Sequence, residues 1–409
     1  MEDWTVPSHV PTDLVVDINL FDIPGGEIDP PTAWRNFQHK TPLAWSPRNG
    51  GHWIATCAED IPKLFRDHEH LSSRQVVIPD PGNVMLPIQA DPPMHRHYRA
   101  MINPLLTHEA VDARGPAIRA LTVSLIEGFY QRGECEFIDE FALQLPLMIF
   151  LDMMGLPLED LHYLRELVDV FSRDPDVNAK IKAAQDQEDY LNTWLDKRIA
   201  EPKDDGLTRV TQATVEGRPY TREEMLSTCV MLLQAGLDTV ANLIGFIALY
   251  LARHPEQRDY IRDNHDKMPV IVQELLRRFP IANLARVVAK DWEYKGVLLK
   301  KGDAIMLPPS LFNLDPKNTD NADEVDLTRE SAQHITFGSG RHTCAGALLA
   351  RKEVSIFLEE WLSRIPDFET DPTRPPRTIC MAANSISQLW LKWPVKDEAA
   401  RQGKVAVTA

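Results

Sequence analysis

The run Phe337-Gly338-Ser339-Gly340-Arg341-His342-Thr343-Cys344-Ala345-Gly346 leads straight into a segment of helical spacing that continues to about Trp361. Gly338 and Gly340 permit a tight loop with positive φ where one is needed. Beyond Cys344, residues Leu348, Leu349, Ile356, Phe357 and Trp361 recur near helical spacing, with Arg351, Lys352, Glu353 and Glu359 between them. Cys344 therefore stands where a loop becomes a helix N-terminus. Unpaired N–H groups and the positive end of the helix dipole there lower a thiol pKa and stabilise a thiolate. With no second Cys and no paired His beside it, the site is poorly suited to tetrahedral zinc. A single proximal bond to a haem iron suits it better. A lone free Cys is most often small apolar core filler, and only the company this one keeps argues otherwise.

The 409 residues allow two or three domains by length, but no Gly/Ser linker, low-complexity tract or fixed-period repeat divides them. One domain spanning 1–409 is expected, with a helix-rich majority and a smaller sheet-rich part from about 45–60, 287–308 and 379–393. Apolar content of 44% and charged content of 25% are ordinary for a globular chain with a large core. A formal charge of −16 argues against nucleic acid and anionic membrane surfaces as partners. Met1 to about Pro31 carries acids, prolines and no apolar run, so neither a signal peptide nor a membrane anchor is expected. Cys57, Cys135, Cys229, Cys344 and Cys380 lie far apart without a C-x-x-C, which reads as reduced thiols in a cytoplasm.

Three further stretches carry chemistry. Asp91-Pro92-Pro93 opens a helix, with Asp91 as its expected cap, and His95 and Arg99 share a face at i,i+4. Thr221-Arg222-Glu223-Glu224 is a capping box that starts a helix running to about Arg253, stopped by His254-Pro255. That helix is apolar nearly all round, hence a core helix or a membrane span. Gln234, Asp238 and Asn242 form one polar stripe at its middle, which favours a soluble helix flanking a polar-edged cavity. Within it, Gly236 costs about 1 kcal/mol relative to Ala, a cost that close approach of a ligand would explain. Asp238 and Thr239 supply an acid and a hydroxyl for proton relay, unless Thr239 simply bonds the preceding turn. Glu274 and Arg277 form an i,i+3 acid–base pair.

The long segment Ser72 to Ala90, with Pro79, Pro81, Gly82 and Pro87, is expected as a lid over an apolar pocket. Residues 108–200 read as helical scaffold. Residues 287–308 read as a β-hairpin turning at Lys300-Lys301-Gly302-Asp303, and 379–393 as two short strands.

Taken in order, the motifs H-x-x-x-R (His95–Arg99), A-G-x-D-T (Ala235–Thr239), E-x-x-R (Glu274–Arg277) and F-x-x-G-x-x-x-C-x-G (Phe337–Gly346) resemble those of the cytochrome P-450 superfamily. The resemblance runs from about Trp45 to Trp393. His342, where most members carry Arg, and Val240, where many carry a second Thr, resemble its soluble bacterial branch of camphor 5-monooxygenase type. It implies a mainly α, triangular fold with small β-sheets. Haem b (iron protoporphyrin IX) would lie buried between the long central helix and the helix after the cysteine. It implies Cys344 as the thiolate ligand of iron, in a haem loop that includes Phe337, Gly338 and His342. It implies propionate contacts from His95, Arg99 and Arg286, and proton delivery by Asp238 and Thr239. Glu274, Arg277 and Arg329 are implied as a buried structural cluster. The camphor branch has an acid where Leu284 stands, so that propionate contact is expected to be absent.

The implied protein is a cytoplasmic, monomeric monooxygenase that puts one atom of O2 into a C–H bond. Its electrons would come from a 2Fe–2S ferredoxin and that protein's reductase, docked by basic residues such as Arg341 and Arg96. In the camphor branch a lid tyrosine anchors the ketone; the segment Ser72 to Ala90 has no Tyr, and Asn83 takes that place. The inferred pocket of Asn83, Met85, Met231, Gln234, Ala235, Ala282, Leu284, Ala382 and Ala383 is apolar with two amides. That favours a small terpenoid or norisoprenoid-like substrate, with Gln234 as its anchor. A peroxide-driven haem-thiolate enzyme, a haem-thiolate gas sensor and a haem-free helical scaffold stay open as alternatives.

Overall fold

The helix Arg222–Arg253 spans 32 residues, about 48 Å at the usual rise per residue. It begins where the capping box requires: the Thr221 side chain accepts from the Glu224 N–H, and the Thr221 N–H donates to Glu224 Oε2 at 2.8 Å. Among the residues described by this computed structural model (5–37, 41–80, 82, 84–173, 176–380 and 383–395), it alone is long and apolar enough to cross a membrane. Most of its apolar stretch is buried inside the protein.

Two core clusters meet on this helix. Its first half, from Met225 to Leu237, packs with the helices Met94–Ile102, Gln144–Met154 and Val177–Ala200. Its second half, from Val240 to Leu251, packs with Phe137, Phe141 and the helix Ala347–Arg364 through Phe357 and Trp361. At the border the surface opens. Ala235 and Gly236 are exposed in mid-helix although Leu233 and Leu237 on either side are buried. A Cβ added to Gly236 would meet no atom within 4 Å. The glycine thus faces open space rather than a packed neighbour, and the helix runs through it without a break.

A five-stranded sheet lies to one side, in the order 43–46, 52–55, 304–307, 284–288, 71–72. The first two strands pair antiparallel with Trp45 opposite Trp53, and 304–307 runs parallel to 52–55. The hairpin of this region is not where the sequence places it. Trp292–Tyr294 pairs with Val297–Leu299, and the turn is Lys295-Gly296, both with positive φ (50° and 83°). Two left-handed residues give the turn twist that matches a hairpin. Lys300–Asp303 instead hands the chain to strand 304–307, which pairs with 284–288. The C-terminal part also divides differently from expectation. Arg377–Ile379 pairs with Ser385–Gln388, whereas Trp390–Lys392 joins a separate sheet with Glu369–Thr370 and Glu134–Glu136.

Candidate active site

Gly338 and Gly340 have φ of 73° and 81°, so the two left-handed positions anticipated before the cysteine are both used. A side chain at Gly340 would also come within 2.9 Å of Arg66 Cγ, and Arg66 Nε donates to Ser339 Oγ at 2.8 Å. The Cys344 N–H closes the loop on the Phe337 carbonyl at 2.9 Å. The Phe337 ring in turn lies 4.6 Å from the Arg351 guanidinium. Cys344 is open to solvent, yet so much protein surrounds it that burial pushes its thiol pKa up. The sulfur is thus reachable by solvent and at the same time closely surrounded by protein atoms. The N–H groups of Gly346 and Ala347, with Arg99 and Arg351, oppose that shift without overcoming it. The expectation of a pKa lowered by the helix N-terminus is therefore corrected: desolvation outweighs the backbone donors.

Near the loop lies a cluster of imidazole and cationic groups. The His95 and His342 rings lie 4.0 Å apart between centroids, tilted by 41°, and among the described residues the buried Nε2 of each has no hydrogen-bond partner. Burial first, then neighbouring cations and, for His342, the His95 ring, push them down to about 4 and about 3, so both are neutral at physiological pH. Arg286 is 2% exposed on strand 284–288. Its guanidinium donates to the Ala285 carbonyl at 2.7 Å and sits 5.2 Å from the Phe65 ring. Among the described residues it has no carboxylate partner. Burial lowers its pKa to about 10, which leaves it cationic. Arg99 donates to the Thr343 carbonyl at 3.0 Å and to Asn103 Oδ1 at 3.2 Å. His95, Arg99, Arg286 and His342 share one electrostatic environment. Asp91 is not the cap expected of it. Its carboxylate accepts from Ser72 Oγ (2.5 Å) and the Ser73 N–H (2.8 Å), tying the start of the 72–90 segment to the start of helix 94–102.

On the central helix, Thr239 Oγ1 donates to the Ala235 carbonyl at 2.7 Å, the intrahelical bond that the sequence left as an alternative. Its lone pairs stay available to accept. Asn242 Nδ2 donates to the Asp238 carbonyl at 2.8 Å, and Asn242 Oδ1 accepts from the Ile386 N–H at 2.9 Å and Ser385 Oγ at 3.2 Å. Glu274 and Arg277 are fully buried and doubly bonded, both contacts at 2.8 Å, with Arg329 Nε 3.3 Å from Glu274 Oε1.

Of the expected pocket residues, Met85 and Met231 belong to one core cluster, and Ala282 and Ala383 form an isolated antiparallel bridge. Gln234 is half-buried, and no hydrogen bond from its amide to another described residue is found. Leu284 packs instead toward the sheet-side cluster with Trp53 and Leu307. Asn83 and Ala382 lie outside the described residues. Sequence reasoning missed Ser227, which donates to the Val84 carbonyl at 2.7 Å and accepts from the Leu86 N–H at 2.9 Å, gripping both sides of Met85. It also missed Asn384, buried between two segments far apart in the chain. A polar residue on a largely apolar helix was the one available signal for Ser227.

The family model described as Cytochrome P-450 matches residues 162–388. The probable cytochrome P-450 127A1 of Sinorhizobium fredii is 34% identical over 401 residues, covering 95% of this chain and 97% of that protein. The crystal structures of CYP101C1 and CYP101J2 superpose with a TM-score of 0.88 each, at 38% and 36% identity. They cover 95% and 96% of this chain, and 100% of each of those chains. The mainly α fold with small sheets is thus the fold of those structures, and with the family comes a cysteine-ligated haem. The chain belongs to the cytochrome P-450 family of oxidoreductases.

Proposed function

We propose that this chain is a haem-thiolate monooxygenase acting on a small, mostly apolar terpenoid or norisoprenoid-like molecule, with Cys344 as the iron ligand. The observation that carries the reading is the Cys344 sulfur, exposed yet desolvated, in the neighbourhood of the buried Arg286, of Arg99 and of the unpartnered Nε2 atoms of His95 and His342. The residues present fit haem b: Arg286, His95, His342 and Arg99 offer donors for two propionate carboxylates, and one sulfur awaits a metal. A bound iron would reverse the balance at Cys344, because a coordinating thiol is deprotonated outright. When bound, the haem supplies the activation of O2 and the oxidation of a C–H bond.

The chain's own residues supply the rest. The Gly346 and Ala347 N–H groups hold negative charge on the sulfur. The Thr239 hydroxyl, anchored as a donor to Ala235, would accept a hydrogen bond from the oxygen side, and Asp238 would deliver the protons. Ala235 and Gly236 leave the cavity free of side chains beside that hydroxyl. Met85, Met231, Ala282 and Ala383 exclude water from the substrate, and the Gln234 amide, without a partner among the described residues, orients its one polar atom. Glu274, Arg277 and Arg329 hold the scaffold and do not react. The chain would act as one catalytic domain and as a cytoplasmic monomer; the burial of the one membrane-length helix among the described residues and its free cysteines support the cytoplasmic part of this reading.

Electrons would come from a 2Fe–2S ferredoxin served by its reductase. A basin of about 630 Å³ lined by His68, His95, Arg96, Arg99, Asn103 and Arg341, without a carboxylate in its lining, supports an acidic partner. The test is a spin-shift titration of the purified haem protein with a panel of terpenoid ketones and alcohols, with the reduced carbon monoxide spectrum as control. Cys344→Ala is expected to abolish the thiolate-type carbon monoxide band; its survival overturns the ligand assignment. Gln234→Ala is expected to weaken oxygenated ligands about five- to tenfold and hydrocarbon analogues hardly at all, the loss of one buried hydrogen bond. Equal effects on both classes would remove the anchoring role.

A further inference from the structure

We propose that Asn384, clasped to Asn283, is a positioning residue that sets the separation of two small-residue walls of the substrate pocket, and with it the size of ligand admitted. This rests on the reading above that Ala282 and Ala383 line that pocket.

The two walls come from segments about a hundred residues apart. Among the described residues no regular ladder joins them, and their one bridge is Ala282 opposite Ala383. Two methyl groups cannot set a spacing by interlocking, so the spacing must come from the neighbours. Those neighbours are polar and buried: Asn384 is fully buried and Asn283 is 1% exposed. The Asn384 N–H donates to the Ile281 carbonyl at 2.8 Å, and its Nδ2 donates to the Pro280 carbonyl at 2.9 Å. Its Oδ1 accepts from Asn283 Nδ2 at 3.2 Å and lies 3.7 Å from the Cys380 sulfur. One side chain thus holds both the carbonyl before the wall and the amide after it.

The next residues are fastened on the other side. Ser385 and Ile386 bond to Asn242, which bonds back to the Asp238 carbonyl on the central helix. Ala383 is therefore held between two fixed points, the 280–283 segment and the oxygen-facing stretch of the central helix. Small changes in the clasp move the wall relative to the cavity, because nothing softer lies between them. A buried amide whose partners are backbone, amide and thiol groups of the protein has no water to substitute for it when it is lost.

The experiment uses the haem-loaded protein and two iron-coordinating probes of different size, imidazole and phenylimidazole, titrated by absorbance. The quantity read is the ratio of their dissociation constants. A clasp that only stabilised the fold would lower the melting temperature and leave this ratio alone. Asn384→Ala is expected to shift the ratio by about three- to tenfold, a change of order one hydrogen bond, with the reduced carbon monoxide band intact. Asn283→Ala, which removes one arm of the clasp, is expected to shift it in the same direction and by less. Ratios within about twofold of the parent in both variants overturn the proposal. Where Asn384→Ala yields no folded pigment, Asn283→Ala decides alone by the same criterion. Ala383→Phe separates the two levels of the argument. If it leaves the ratio unchanged, the pocket reading fails and this proposal with it. If it changes the ratio while the asparagine variants do not, the wall stands and the positioning role alone is overturned.

Discussion

Glu353, on the helix that follows Cys344, is 2% exposed with its Oε2 unpaired, and burial alone pushes its carboxyl up to about 8. It is neutral in the folded protein at pH 7. Below about pH 4.5 the folded and unfolded chains both hold this proton. As pH rises from 4.5 toward 8 the unfolded chain releases it first, so stability falls through that window and levels off above it. Glu353→Gln is expected to flatten this dependence and to raise stability at pH 7 on the order of 2–3 kcal/mol. Denaturant unfolding across the pH range checks it, and an unchanged slope would show that another group titrates there. In the sequence Glu353 is simply one of the charged residues between apolar ones. His95 and Arg99 show the opposite case: their shared face follows from i,i+4 spacing alone. That His95 packs against His342, and that both rings are neutral, depends on two segments meeting.

Ser227 belongs to the scale of elements, because it joins the central helix to the segment over the pocket. Its hydroxyl holds the backbone on both sides of Met85. Ser227→Ala removes both bonds, and the release rate of bound phenylimidazole is expected to rise about fivefold, the equivalent of one net hydrogen bond. Stopped-flow displacement measures it; an unchanged rate with an intact carbon monoxide spectrum would show that the grip does not hold the pocket closed. The central helix itself was fully legible, since its capping box and its terminal His254-Pro255 are local signals. The hairpin was not. Lys300-Lys301-Gly302-Asp303 and Lys295-Gly296 are both plausible turns, and the choice between them belongs to strand 304–307, which finds partners at 284–288 and 52–55.

Over the whole molecule, the buried Glu274–Arg277 pair fastens the 313–329 segment to the helix Met268–Arg278. Arg277 donates to the carbonyls of Asn313, Ala322 and Glu324, and Asn313 then bonds to Thr336 just before the cysteine loop. Arg277→Met leaves a carboxylate buried without its main partner and is expected to cost about 3–5 kcal/mol. The double variant Glu274→Leu/Arg277→Met is expected to cost less than the sum of the two single changes, as thermal melts of the double-mutant cycle would show. Additive losses would mean the two residues act separately. The motif identities, the helices that carry them and the family resemblance were determined by sequence alone, because each rests on residue types and spacings within a few turns of chain. Only the tertiary structure decided that Cys344 is desolvated enough to resist ionisation, that Asp91 ties two segments instead of capping a helix, and that Asn283 meets Asn384. Those outcomes turn on how much protein crowds around a group and on which distant segments touch, and no local pattern encodes either.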